Sequence, residues 1–220
     1  MLFEAWNNTL RGMCGHYHAV PQEKRRVVAG DFLHRHVFGL DAADFSGDIS
    51  QIYRTRQDTK QDEAENFYLL MPIIGDMKMD QEGEQAVVRP GQLYLHDSRH
   101  PVKMLFDDHR FHGISVHLPR LLLLPEAESS FHTGLCAGQA APKARALRAH
   151  VLSSLTSRRS NQQADAACLL DLARTVFARV FYDSINYSLR QVCGGCGIWR
   201  EHTGFCGKSA KNTPKNVAAL

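Results

Sequence analysis

Three groups of residues in this 220-residue chain are equipped for chemistry. The first is histidine, of which there are 12. His34-x-His36 sets two imidazoles two positions apart, so on an extended strand both rings leave the same face. Two such rings are half of a transition-metal site, and His96 or His112 could complete it by projecting inward. Gly30 stands close before the pair and no glutamate follows at the distance such a site would use. The pair is therefore expected to contact a ligand or to serve structure, and neither metal nor cofactor is expected. The second group is Arg54 or Arg56 with Tyr68 and His112, the few polar groups that could orient a small ligand inside a mostly apolar pocket. Which of them face inward depends on strand register, because a slip of one residue exchanges the faces. The candidate ligand-binding set is thus His34, His36, Arg54, Tyr68 and His112. The third is Cys193-x2-Cys196-x5-His202-x3-Cys206, three thiolates and an imidazole that could form a tetrahedral zinc site between flexible glycines. The same spacing also arises by chance in a tail rich in glycine and cysteine, and that reading is adopted. No catalytic constellation emerges. G-x-S-x-G, G-x-x-x-x-G-K-[ST] and H-E-x-x-H are all missing, and Asp107-Asp108-His109 lacks a nucleophile, so no enzyme activity is expected.

The elements that would position these groups are mostly short strands. Pro90-Gly91 is a turn signal. Val87 and Val88 precede it, and Leu93, Tyr94 and Leu95 follow with the bias of a pleated surface. A second break at Asp97 to Pro101 leads to the alternation Val102, Met104, Phe106. Phe111 to Leu118 then divides into Phe111, Gly113, Ser115 and His117 on one face and His112, Ile114, Val116 and Leu118 on the other. Upstream, strands are expected over Gly30–Phe38, Ile49–Gln57 and the apolar run Asn66–Ile74, with tight connections at Gly75-Asp76 and Gln81-Glu82-Gly83. Seven or more strands at this spacing predict a sandwich or barrel. Helices flank it. Phe3, Trp6, Leu10 and Met13 predict an amphipathic helix over 2–14 ended by Gly15. His16 to Val28, with the basic run Lys24-Arg25-Arg26, reads as a solvated loop. Beyond Pro142, Ala144, Leu147, Val151 and Leu155 mark one helical face. Leu169, Leu172, Ala173, Val176, Phe177 and Val180 mark another, after a Ser160–Gln163 capping box, and the two should pair antiparallel.

Length and composition allow one domain with a substantial core and little more. The hydrophobic set is 44% and charged residues 22%, the balance of a globular chain. A formal net charge of +3 permits nucleic acid as a partner without arguing for it. No apolar run approaches the roughly 20 residues that span a bilayer. The start of the chain, MLFEAWNNTLRGMCG, is not a secretory signal, so the cytoplasm is expected and the membrane is not. Cys14, Cys136 and Cys168 read as small buried hydrophobes.

The order of these features resembles the N-terminal regulatory domain of AraC/XylS-type transcription regulators, FeaR-like members in particular, over roughly residues 3 to 182. The resemblance rests on the leading helix with Trp6, the arginines at 54 and 56, the run YLLMPIIGDMKMDQEGEQAVVRPGQLYLHDSRHP, then VHLPR and two helices. It implies an α+β fold, a cupin-like β-barrel (double-stranded β-helix) with an N-terminal helix and a C-terminal antiparallel helix pair. It also implies a small-molecule effector in the barrel and a homodimer, or a heterodimer with a related regulator, made by the helices. DNA would be a partner only through helix-turn-helix units of a full-length form. By position, Pro90-Gly91 matches a turn between barrel strands, Asp97, Ser98 and Pro101 a corner, and Leu118-Pro119-Arg120 the barrel exit. Gln92 departs from the acidic residue usual after Pro-Gly, and His100 interrupts the usual Arg-Pro pair. The expected division is 1–120 for helix and barrel, 121–190 for a helical dimerisation hairpin and 191–220 for an irregular tail. That tail has no helical periodicity, and a truncated regulator is the expectation. A metal-dependent cupin enzyme acting on a small molecule is the alternative.

Overall fold

A computed structural model of the chain describes residues 1–22, 26–62, 65–107, 110–123, 135–138, 141–156 and 163–177. Among them the strands are β1 His18–Pro21, β2 Phe32–Val37, β3 Leu40–Gly47, β4 Ile49–Arg54, β5 Asn66–Ile74, β6 Met77–Gln81, β7 Glu84–Val88, β8 Leu93–Asp97, β9 Val102–Phe106, β10 Phe111–Pro119 and β11 Leu135–Ala137. They form two sheets, ordered β1-β4-β9-β6-β7 and β11-β8-β5-β10-β3-β2, with every paired neighbour antiparallel. The helices are α1 Phe3–Cys14, the single turn α2 Arg120–Leu123, α3 Pro142–Thr156 and α4 over 163–177. The fold is α+β and cupin-like, as the resemblance implied.

Strand periodicity builds two cores from the six-stranded sheet. Tyr68, Leu70, Tyr94, Ala43, Phe45 and Phe111 turn inward and meet Ile52, Met77, Met79, Met104 and Phe106 of the opposite sheet. Phe67, Leu69, Met71, Leu93, Leu95, Ile114, Val116 and Leu118 turn outward and are covered by Ala144, Leu147 and Val151 of α3 and by Leu169, Ala173 and Phe177 of α4. A sheet buried on both sides explains why β5 reads as a continuous apolar run. The second helix falls where its stripe predicted it, while the expected cap Ser160 lies outside the described residues.

At one end of the barrel α1 buries Trp6 and Leu10. The Trp6 indole Nε1–H donates to Ser46 O at 3.1 Å, and its ring meets Phe32 edge-on at 5.0 Å. The helix stops at Gly15, whose φ of 88° is left-handed and whose N–H donates to Arg11 O at 3.0 Å.

Three segments differ from expectation. His18–Pro21, expected in a loop, is an edge strand, because its backbone completes the ladder along β4. Leu40–Gly47, LDAADFSG, has little intrinsic strand character, yet it is held between β2 and β10, so pairing overrides propensity. Beyond Arg120 the chain is not purely helical, since β11 returns to the sheet beside β8. Among the described residues no helix is long and apolar enough to cross a membrane. The Cys193, Cys196, His202 and Cys206 spacing and the whole of 191–220 lie outside the described residues.

Candidate functional site

Between the two sheets, below α1, lies a cavity of about 30 Å³. Its wall combines apolar groups (Leu10, Phe32, Ala43, Phe45, Ile52, Leu70, Met104) with Cys14, Tyr17, Tyr68 and Ser115. The space matches about one water molecule.

Behind Tyr17 stands a buried polar relay. The Tyr17 hydroxyl oxygen lies 2.8 Å from His96 Nε2, and Gln81 Nε2 lies 2.7 Å from His96 Nδ1. Gln81 Nε2 also donates to Pro101 O at 3.4 Å, which fixes the amide orientation. An amide N–H can only donate, so His96 Nδ1 accepts. The proton of the neutral ring is then on Nε2 and is donated to the Tyr17 oxygen. That leaves the Tyr17 hydrogen free to turn toward the cavity its ring lines. Burial pushes the His96 pKa down to about 3, with Arg54 and His100 adding to the effect and Asp97 opposing it. Burial likewise pushes the Tyr17 hydroxyl well above its ordinary value, so the relay is uncharged.

Arg54 supplies a fixed charge beside this relay. It is buried, its guanidinium lies 5.0 Å from the Tyr17 ring centroid, and Nη1 pairs with Asp62 at 2.5 Å. Asp62 also accepts from the His16 backbone N–H at 2.9 Å and contacts the His16 ring. Burial alone would raise the Asp62 carboxyl, but the His16 contacts and the Arg54 charge outweigh it and hold it low. Gly15 is required here: a Cβ at that position would lie 2.3 Å from Asp62 Oδ2. Two buried polar atoms, Gln81 Oε1 and Arg54 Nε, have no hydrogen-bond partner among the described residues. Such atoms carry a desolvation cost that a ligand's polar end can relieve.

A second arm runs through Tyr68. Its hydroxyl donates to Cys14 O at 2.8 Å, and its ring meets His117 edge-on at 4.7 Å. His117 Nε2 lies 3.7 Å from Cys14 Sγ. Burial depresses the His117 pKa to about 4 and raises the Cys14 thiol to about 12, so both are neutral near pH 7.

Of the residues expected to touch a ligand, Tyr68 lines the cavity and Arg54 stands one layer behind it. His34 and His36 are exposed at the end of β2 and do not line it. His112 shares the outward face of β10 and pairs with Asp44 at 2.8 Å, again away from the cavity. Arg56 is largely exposed beside Glu82. Residues at the cavity or in its polar surround that the expected ligand-binding set left out are Tyr17, Gln81, His96, Ser115 and His117, of which His96 was expected only as a completing metal ligand. The alternation Leu93-Tyr94-Leu95-His96 and the Ser115–His117 parity already carried three of them. Tyr17 lay in a segment read as loop and gave no signal.

Comparison with known proteins adds the relatives. Residues 6–180 match the AraC-binding-like domain. No curated protein matches the chain. Among solved structures, the AraC-like transcriptional activator CuxR is similar at 12% identity and a TM-score of 0.65, with 80% of this chain and 65% of that one covered. A putative mannose-6-phosphate isomerase from Ralstonia eutropha (15% identity, TM-score 0.30, 45% of this chain and 90% of that one) and a putative glyoxylate-induced protein from Pseudomonas aeruginosa (9%, 0.33, 55% and 48%) are more distant. The chain therefore spans 65% of the length of CuxR, whose likeness is one of fold. With its family match extending from Trp6 in the leading helix through all the described residues of α4, the chain belongs to the AraC-binding-like domain family.

Proposed function

We propose that this chain is the effector-sensing part of an AraC-type transcription regulator, and that the effector binds between the two sheets against Tyr17 and Tyr68. The observation that carries this is an apolar cavity walled by two tyrosines, with the unpartnered Gln81 Oε1 and Arg54 Nε one layer behind. Apolar walls with a few converging polar groups are the chemistry of small-molecule recognition rather than of bond making. The Arg54 charge is answered by Asp62, so the site favours a compact, largely apolar molecule with one neutral or weakly anionic polar end.

A cavity of about 30 Å³ holds no such molecule as it stands, so binding must displace part of the wall. Leu10 and Cys14 belong to the one helix in that wall, and α1 is the element that yields. Binding selects the opened state, and the energy of opening is subtracted from the affinity. Dimerisation through the helices after the barrel, and DNA reading through helix-turn-helix units of a full-length form, complete this reading. Sedimentation of the purified chain tests the first.

The direct test is a thermal-shift screen of small aromatic and short-chain acids, amines and alcohols, repeated on Ala43→Val and Tyr17→Phe. A true effector raises the melting temperature of the wild type and loses most of that shift in both variants. Hits that stabilise Ala43→Val as well as the wild type bind elsewhere and overturn the assignment.

A further inference from the structure

We propose that His34, His36 and Asp41 form a divalent transition-metal site at the rim of the barrel, separate from the interior cavity. His34 and His36 leave the same face of β2, and strand pairing sets Asp41 of β3 directly opposite His36. The alternation that turns Phe32, Ala43 and Phe45 inward gives these three side chains the same sense, but they lie beyond the cavity and are open to solvent. His34 Nε2 lies 2.9 Å and His36 Nδ1 3.4 Å from the same Asp41 oxygen, Oδ1. The three candidate ligand atoms all fall within 4.8 Å of one another.

These separations fit coordination. Donors held about 2.0–2.1 Å from a zinc-like ion are spaced about 2.9 Å apart at a right angle and about 3.4 Å at the tetrahedral angle. Both His–Asp distances lie on that interval. The imidazole rings, with centroids 4.6 Å apart, are 50% and 61% exposed at the side chain, so modest rotation closes the third edge without disturbing the core. The convergence of two rings on one carboxylate oxygen gains little by itself, because exposed ion pairs are worth at most about 1 kcal/mol. A divalent cation uses all three groups together.

Two imidazoles and a carboxylate suit zinc, nickel, copper or ferrous iron rather than magnesium or calcium, and three protein ligands leave positions for water or for a donor atom of a small molecule. The site also adjoins the interior. His117 interacts electrostatically with both Asp41 and His34, and it contacts Cys14 and Tyr68 of the cavity wall. A cation bound at the rim would therefore be felt by the element that closes the cavity.

The test is calorimetric titration of the full chain with zinc and with nickel, in a background where Cys193, Cys196 and Cys206 are serine so that the tail contributes nothing. One equivalent should bind. Asp41→Asn and His36→Gln should each weaken binding by more than the roughly tenfold that even loss of an outer-shell partner costs. His112→Gln, whose histidine pairs with Asp44 elsewhere, should change nothing. Cobalt should give visible absorption bands that disappear in Asp41→Asn. The proposal is overturned if the Asp41→Asn and His36→Gln chains keep the parent affinity. It is equally overturned if the parent binds no more tightly than the triple variant lacking His34, His36 and Asp41. Because all three side chains are exposed, circular dichroism should show every variant folded, so loss of binding cannot be loss of fold.

Discussion

Lowering the pH from 7 to 5 should destabilise this fold steeply, and His96 should account for half of the effect. His96 and His117 are held neutral by burial, with pKa values of about 3 and about 4 against an ordinary 6.5. A depressed histidine pKa means that the unfolded chain binds more protons than the folded one between the two values. The stability contributed by each ring is therefore fully present above about 6.5 and is lost as pH falls toward the folded value. At pH 5 the unfolded rings are almost fully charged and the folded ones are not, so each costs about 2 kcal/mol relative to pH 7, together about 4 kcal/mol as an upper bound. With a urea slope of about 2 kcal/mol/M, the midpoint should fall by about 2 M. The depressed carboxyls of Asp58 and Asp62 lie below this window. Burial would raise the Asp58 carboxyl, but hydrogen bonds from Thr55 and His18 outweigh it and hold it at about 2, so its contribution is lost only at lower pH. The assay is urea denaturation followed by far-UV circular dichroism at intervals from pH 7 to 5, on wild type and His96→Gln. Glutamine removes the titrating ring, so the slope against pH should fall by about half whatever the variant's absolute stability. Equal slopes in the two proteins, or an NMR titration of folded His96 near its ordinary pKa, would refute the reasoning.

Trp6→Ala should cost roughly 3–5 kcal/mol, on the order of 10 °C in melting temperature, because a fully buried indole and its bond to Ser46 O are lost together. Thermal denaturation measures it, and a loss under 1 kcal/mol would mean that α1 is not docked as described. Asp97→Asn should cost about 3 kcal/mol by urea denaturation, since it removes the fully buried carboxylate that pairs with the buried Arg120 guanidinium. Gly30→Ala should cost about 1–3 kcal/mol, because its Cβ would lie 2.3 Å from the backbone oxygen of Ser46, which cannot give way without moving β3. An unchanged urea midpoint would contradict that close approach.

The legible part of the fold was that written in side-chain periodicity. Strands β5 to β10 and α1, α3 and α4 all carry alternation or a stripe, and turn chemistry marks their junctions at Gly83 and Pro90-Gly91. The corner at Asp97 to Pro101 and the exit at Leu118 to Arg120 were read as separate structural features. They meet in space, Arg120 pairing with Asp97 and lying over Phe67, which no one-dimensional pattern records. The hairpin of β2 and β3 was hidden for another reason. Its turn is Phe38-Gly39, and Phe38 takes a φ of 51°, an unusual conformation for a bulky residue. That strain is tolerated because the tip docks on α3, where the Phe38 N–H donates to Ser154 Oγ at 3.1 Å and the ring lies 4.3 Å from His150. Asp41, just past that turn, was missed as a partner of His34 and His36 for the same reason. For Arg54, Tyr68 and His112 the question was facing, and facing follows from register. Once His112 is paired opposite Ser46 and Ile74, its outward sense is fixed.

The six-stranded sheet links interior and exterior through the same few residues. Tyr68, Tyr94, His96, Ser115 and His117 face the barrel, while their immediate chain neighbours Leu69, Leu93, Leu95, Val116 and Leu118 face α3 and α4. Neighbours along a strand share a peptide plane, so the backbone of β5, β8 or β10 cannot shift to admit a ligand without moving the outward side chain by a similar amount. The outward layer is fully buried and close-packed, and such a layer transmits small displacements instead of absorbing them. The opposite sheet differs: its inward Met77, Met79 and Met104 are unbranched and adapt to an irregular gap at little cost. A ligand that expands the cavity thus meets a compliant wall on one side and a stiff wall backed by the helices on the other. This asymmetry supports routing an effector's signal through β5, β8 and β10 into the helix pair.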